Sequence, residues 1–168
     1  MNKGQIFVGE TDGNYLIKMN GDVRVTLCAS LNHYVERIFT NRNVKNVLVD
    51  LLETEGVDST TLGLLTKLAL SSKRLFGVAP LLFCDNPGIL RTLESMSLDE
   101  IFSIIDQPST ASGVEGGLEE LPCDNCDEEE ARRSVLEAHR LLVEINPQCE
   151  AEFIDLIHYL EDEVNKQF

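Results

Sequence analysis

This sequence predicts an α/β fold, with a mixed β-sheet packed against helices and an α-helical hairpin at the C-terminal end. Three observations lead there. Short β-branched and leucine-rich runs alternate with segments of helical apolar spacing over the first two thirds of the chain. The first two apolar runs flank Thr11-Asp12-Gly13-Asn14, residue types that tolerate positive φ and close hairpins. The charge changes near Gln107-Pro108: residues 1–106 carry 13 acidic and 10 basic side chains, and residues 107–168 carry 16 and 4. The small-residue, glycine-containing stretch that follows reads as a linker. The expected organisation is a body over 1–106, a linker over 107–126 and a helical hairpin over 127–168.

Element by element, Gln5 to Val8 and Tyr15 to Met19 open the fold as antiparallel strands. After Gly21-Asp22, apolar residues at Leu27, Leu31, Val35, Ile38 and Phe39 mark one face of a first helix, with Thr26 placed to cap it. Val44 to Leu52 is too short and too continuously apolar for a typical helix and reads as a central strand. A five-residue connection then leads to a second helix from Ser59 to Phe76, which Gly77 terminates. A strand at Ala79 to Cys84, a helix at Asn86 to Met96 and a strand at Ile101 to Ile105 complete the body. Beyond the linker, Asp127 with Glu130 makes a helix-start pattern. The stripe Ala131, Val135, Ala138, Leu142 and Ile145 stops before Pro147. Phe153, Ile157, Leu160 and Val164 form a second stripe, so the two helices should fold back antiparallel and bury their stripes on the body, a second copy or another protein.

Composition narrows the function. A formal net charge of −15 opposes binding to a nucleic-acid backbone or an anionic membrane. No apolar run approaches the roughly 20 residues of a membrane span, and the first residues lack the pattern of a signal peptide, so the cytoplasm is the expected compartment. Five cysteines, an odd number at no framework spacing, read as reduced thiols. Cys123 and Cys126 have CxxC spacing but no second pair to complete a four-ligand zinc site, and are read as thiols in a polar linker. His33, His139 and His158 lie on different helices with no nucleophile at a diagnostic spacing, so no catalytic residue, metal ligand or cofactor is assigned.

The informative segment is Val57-Asp58-Ser59-Thr60-Thr61-Leu62-Gly63, where a strand passes into a helix. Backbone N–H groups and the positive end of the helix dipole would face a group attached to Ser59. A phosphate there adds about −1.5 to −2 charges and three strong acceptors, enough to remake an interface. Asp, Ser and Thr are equally the ordinary capping residues of helices, so the local sequence fits a structural cap as well as a switch.

The order of elements over residues 5 to 106, the strand ending in Asp50-Leu51 and the Asp58-Ser59-Thr60-Thr61-Leu62-Gly63 motif together resemble the STAS domain. That family includes anti-sigma factor antagonists, which carry Asp-Ser-(Ser or Thr)-Gly-Leu-Gly at the start of the second helix. Thr61 stands where the family has glycine, and Arg24 where many antagonists have an acidic residue. The resemblance implies an antagonist that binds an anti-sigma factor when Ser59 is unphosphorylated and is released when it is phosphorylated, with Thr60 the second choice of acceptor. Asp22, Asp58, Ser59, Thr60, Thr61 and Leu62 would contact the partner. Segments such as Val135-Leu136-Glu137-Ala138-His139-Arg140 are similar to the extension of a proteobacterial subgroup, which implies a serine kinase and phosphatase linked to a response regulator. The alternative is a STAS-type docking subunit of a membrane transport assembly of the ABC type.

Overall fold

The computed structural model describes residues 2–106, 117–123 and 127–166. Strands β1 (Gln5–Thr11) and β2 (Asn14–Val23) form the expected hairpin. Asp12 and Gly13 both adopt positive φ, 50° and 86°, as a tight hairpin turn requires. A Cβ on Gly13 would stand 2.1 Å from the Asn43 carbonyl oxygen, so the position also needs glycine for space. Helix α1 (Cys28–Thr40) follows. Thr26 does not cap it: Val25–Leu27 form a 3₁₀ turn whose main-chain bonds, including Leu27 N to the Arg24 carbonyl, satisfy donors at the helix entrance.

Strand β3 runs over Asn46–Val57, five residues beyond the predicted end. The polar stretch expected as a connection is paired in parallel with β2 through Val23 and Val57, across two register shifts that each place an extra residue in β3. The buried Thr54 hydroxyl donates to the Met19 carbonyl at 2.7 Å. Asp58 alone therefore joins β3 to α2 (Ser59–Phe76), which ends at Gly77 in the left-handed conformation. Strand β4 (Leu81–Phe83), helix α3 (Pro87–Ser95) and strand β5 (Ser103–Ile105) follow, each shorter than its apolar run. Asn86 caps α3 by accepting from Gly88 N and Ile89 N, and Pro87 occupies the first helical turn, where a missing N–H costs nothing.

Glu119–Glu120 make a sixth strand, β6, inside the stretch read as a linker. It pairs antiparallel with β1, and the sheet order is β5-β4-β3-β2-β1-β6. Two glutamates carry no strand signal, because this edge pairing rests on main-chain bonds such as Leu121 N to the Ile6 carbonyl. The Ser30 hydroxyl of α1 donates to the Pro122 carbonyl and ties the same stretch to the helix layer.

Alternate residues of the sheet sort into two clusters. Ile17, Met19, Val49, Leu51 and Leu82 join apolar residues of all the helices in one core. Leu16, Leu48 and Phe83 make a small second cluster on the opposite face. The continuous apolar runs of β3 and β4 serve both.

Helices α4 (Glu128–Ile145) and α5 (Glu150–Asn165) form the hairpin, and Asp127 caps α4 by accepting from Glu130 N. Of the three places open to it, the hairpin docks on the body. Leu136, Leu142, Phe153, Ile157 and Leu160 belong to the same apolar core as the sheet. Lys67 of α2 donates to Asn32 and Glu36 of α1 and to Glu137 of α4, at 2.9, 3.0 and 2.6 Å. At the far end, Asn146 donates to the Ser95 carbonyl at the end of α3. The buried face of α4 is Ser134, Leu136, Ala138, His139 and Leu142, broader than the predicted stripe, because the helix packs against both α2 and α5.

Candidate functional site

Parallel pairing places the ends of β2 and β3 side by side, so Asp22 and Arg24 stand beside Asp58 and the start of α2. The Arg24 guanidinium Nε donates to both carboxylate oxygens of Asp22 at 2.9 Å. That bond, then the Asp22 charge and more weakly the Asp58 charge, hold Arg24 above its ordinary pKa. The residue standing where many antagonists have an acid is thus drawn into a pair with Asp22.

Asp58 Oδ1 accepts from the Thr61 main-chain N–H at 2.9 Å and from the Thr61 hydroxyl at 2.8 Å. This is a helix cap in the ordinary sense, reinforced by a second donor from the same residue. The Thr61 hydroxyl proton being used on Asp58, its lone pairs face the Cys28 thiol at 3.5 Å. Burial, with Asp58 adding to it, pushes the Cys28 thiol up to about 12. Burial also raises Cys84 and Cys149, whereas Cys123 is exposed. Because the folded Cys28 thiol keeps its proton where the unfolded one loses it, it is expected to cost stability as pH rises from about 9 toward 12, with Cys84 and Cys149 acting in the same direction. In native protein, thiol reagents at pH 8 should modify Cys123 at least tenfold faster than Cys28, Cys84 or Cys149, read by peptide mass mapping. Comparable rates at Cys28 and Cys123 would contradict the burial described. Cys126, the second residue of the CxxC, lies outside the described residues.

Ser59 is the first residue of α2 and is half-buried. Its hydroxyl lies 2.8 Å from Nε2 of His139, a residue of α4 that is only 1% exposed. The other ring nitrogen, Nδ1, is 2.7 Å from the Val135 carbonyl, which can only accept. Nδ1 therefore carries a proton, and in the tautomer whose one proton is there Nε2 accepts from the Ser59 hydroxyl. The ring also packs edge-on against Phe153 of α5, with centroids 4.9 Å apart. One turn further along α2, a Cβ on Gly63 would stand 2.4 Å from the Ala138 carbonyl oxygen and 2.5 Å from the Ala138 Cβ. Glycine at 63 is what lets the two helix backbones approach this closely.

The structure thus brings Asp22, Asp58 and Ser59 to one end of the sheet with some exposure. It does not leave Thr60, Thr61 and Leu62 on the surface: they are 5%, 0% and 1% exposed. Counting from Ser59, these positions turn under the helix into the core, so their motif residues serve packing and capping within this chain. His139 is the functional candidate that sequence reading missed. It sits 80 residues from Ser59, and no spacing rule links the two. Its place beside Ala138 on the buried flank of α4 was the one available signal.

No protein-family profile matches the chain, and no curated protein matches it in sequence. Known structures do. SpoIIAA, an anti-sigma factor antagonist seen in its unphosphorylated form, superposes with a TM-score of 0.52 at 10% identity, covering 62% of this chain and 89% of its own. This chain has the STAS fold. A Thermotoga maritima protein provisionally assigned as an anti-sigma factor antagonist superposes with a TM-score of 0.50 at 22% identity, covering 60% of this chain and 85% of its own. More than a third of this chain therefore lies outside the shared STAS fold, consistent with the extra C-terminal helices. Among the described residues no helix is long and apolar enough to cross a membrane.

Proposed function

We propose that this chain is an anti-sigma factor antagonist that works by partner switching through phosphorylation of Ser59. The observation that carries the reading is the position of Ser59. In a fold shared with antagonists, it is the first residue of α2, at the end of a parallel strand, with its side chain only half-buried. Unphosphorylated, the surface formed by Asp22, Asp58 and Ser59 binds the anti-sigma factor and so frees the sigma factor. A serine kinase and a phosphatase, linked to a response regulator, set the phosphorylated fraction, and the chain acts in the cytoplasm as a binding protein.

Local electrostatics are sufficient for the switch. A phosphate on Ser59 adds about −1.5 to −2 charges beside Asp58. In an interface that excludes water, such a charge is left desolvated and opposed, which costs a few kcal/mol. The helix start offsets part of the phosphate charge in the free protein, where water also reaches it, and the interface with the partner removes that water.

The test is titration calorimetry of wild-type, Ser59→Ala and Ser59→Asp proteins against the anti-sigma factors encoded by the same genome. Wild type and Ser59→Ala should bind, and Ser59→Asp should bind at least a hundredfold more weakly, about 2.7 kcal/mol. Equal affinity of Ser59→Ala and Ser59→Asp would remove the switch.

A further inference from the structure

We propose that the α4–α5 hairpin reads the state of Ser59: it is docked while Ser59 is a free hydroxyl and released when Ser59 carries a phosphate. The inference rests on Ser59 being the phosphate acceptor, and it adds a conformational output to what would otherwise be a change of charge alone.

Three observations carry it. First, the only polar partner of His139 Nε2 among the described contacts is the Ser59 hydroxyl, which donates to it in the tautomer protonated at Nδ1. Phosphorylation removes that proton, and the buried Nε2 loses its donor. Second, the His139 side of this contact is tightly held. The hydroxyl oxygen and Nε2 are 2.8 Å apart, the ring is pinned through Nδ1 to Val135, and Phe153 backs it. One turn along, Ala138 lies so close to the backbone of Gly63 that a Cβ there would stand 2.4 Å from its carbonyl oxygen, which leaves α4 no slack toward α2. The contact is closed or open, with little between. Third, the charge is wrong for retention. Residues 127–168 carry 12 acidic against four basic side chains, so the docked hairpin is an acidic cover brought against a new dianion.

Release uncovers the flank of α2 around Gly63 and the apolar faces of α4 and α5, including Leu136, Leu142 and Phe153. The two forms then differ in exposed apolar surface, and the phosphorylated form gains a surface that the unphosphorylated form keeps internal. Partner choice can follow from that difference.

The experiment needs neither kinase nor anti-sigma factor. Phosphoserine is incorporated at position 59 of the full chain by expanded genetic coding, and amide hydrogen exchange is compared with the unmodified protein. Exchange across α4 and α5 should become at least tenfold faster while β2 and β3 stay protected. Ala138→Leu, which wedges the same contact and leaves Ser59 intact, should accelerate α4 in the same way and serves as the reference for an undocked hairpin. If Ala138→Leu loosens the sheet as well, Glu137→Lys, which reverses the attraction to Lys67, supplies the reference instead. Unchanged or increased protection of α4 in the phosphoserine protein, the result if His139 took up a proton and held the phosphate in place, overturns the proposal. That result leaves the partner-binding test of Ser59 untouched, and phosphate-insensitive partner binding leaves this one untouched, so each can fail alone.

Discussion

Gly63→Val is expected to separate α4 from α2 and to lower the stability of the chain by about 3 kcal/mol, the range for overpacking a tight contact. The atoms it meets are the carbonyl oxygen, Cβ and carbonyl carbon of Ala138, at 2.4, 2.5 and 2.6 Å from the added Cβ. Two of the three belong to the main chain and cannot rotate away. Relief requires moving a whole helix, and the helix carries Leu136, His139 and Leu142 with it. Urea unfolding followed by circular dichroism measures the loss. The nearest atom also makes a sharper statement: Ala138→Gly in the Gly63→Val background should restore little, because the carbonyl oxygen remains. Full rescue, or a loss under 0.5 kcal/mol, would mean that the backbones do not approach as described.

Ending the chain at Cys123 should have the second largest effect. The shortened protein keeps the six strands and the Ser30 to Pro122 bond, yet loses Leu136, Leu142, Phe153, Ile157 and Leu160 from a core they share with the sheet and α2. Each fully buried side chain of this size contributes roughly 1.5–3 kcal/mol of transfer free energy. Even after the entropy of ordering 38 hairpin residues is returned, the exposed α2 flank remains as an apolar patch. The midpoint of thermal unfolding should fall by about 10 °C or more, and the protein should associate. Differential scanning calorimetry and light scattering check both. A monomer with an unchanged midpoint would make the hairpin an ornament of the fold and weaken the account of Ser59 with it.

The position of Ser59 at the start of α2 was legible because two local signals met there: a continuous apolar run that read as a central strand, and the helical segment from Ser59 to Phe76 after it. The turn at Asp12-Gly13, the stop at Gly77 and the cap at Asp127 were legible for the same reason, each being set by the φ preference or hydrogen-bonding reach of one or two residues. The end of β3 was not. Glu53, Glu55 and Gly56 look like a loop, and they become strand because β2 offers its free edge as far as Val23. Nor was β6, whose two glutamates are held by the main chain of β1. Local preference loses wherever a neighbouring strand supplies the hydrogen bonds.

Sequence by itself determined the α/β order of elements, the two amphipathic helices at the C-terminal end and the serine at a helix start. These follow from interactions spanning a few residues. The tertiary structure decided what that serine touches. It placed α4 on α2 through Gly63 and Ala138, joined Ser59 to His139 across 80 residues, and turned Thr60, Thr61 and Leu62 inward. The reason is that periodicity shows which face of a helix is apolar but not which surface will cover it. That depends on shape and close approach between elements far apart in the chain.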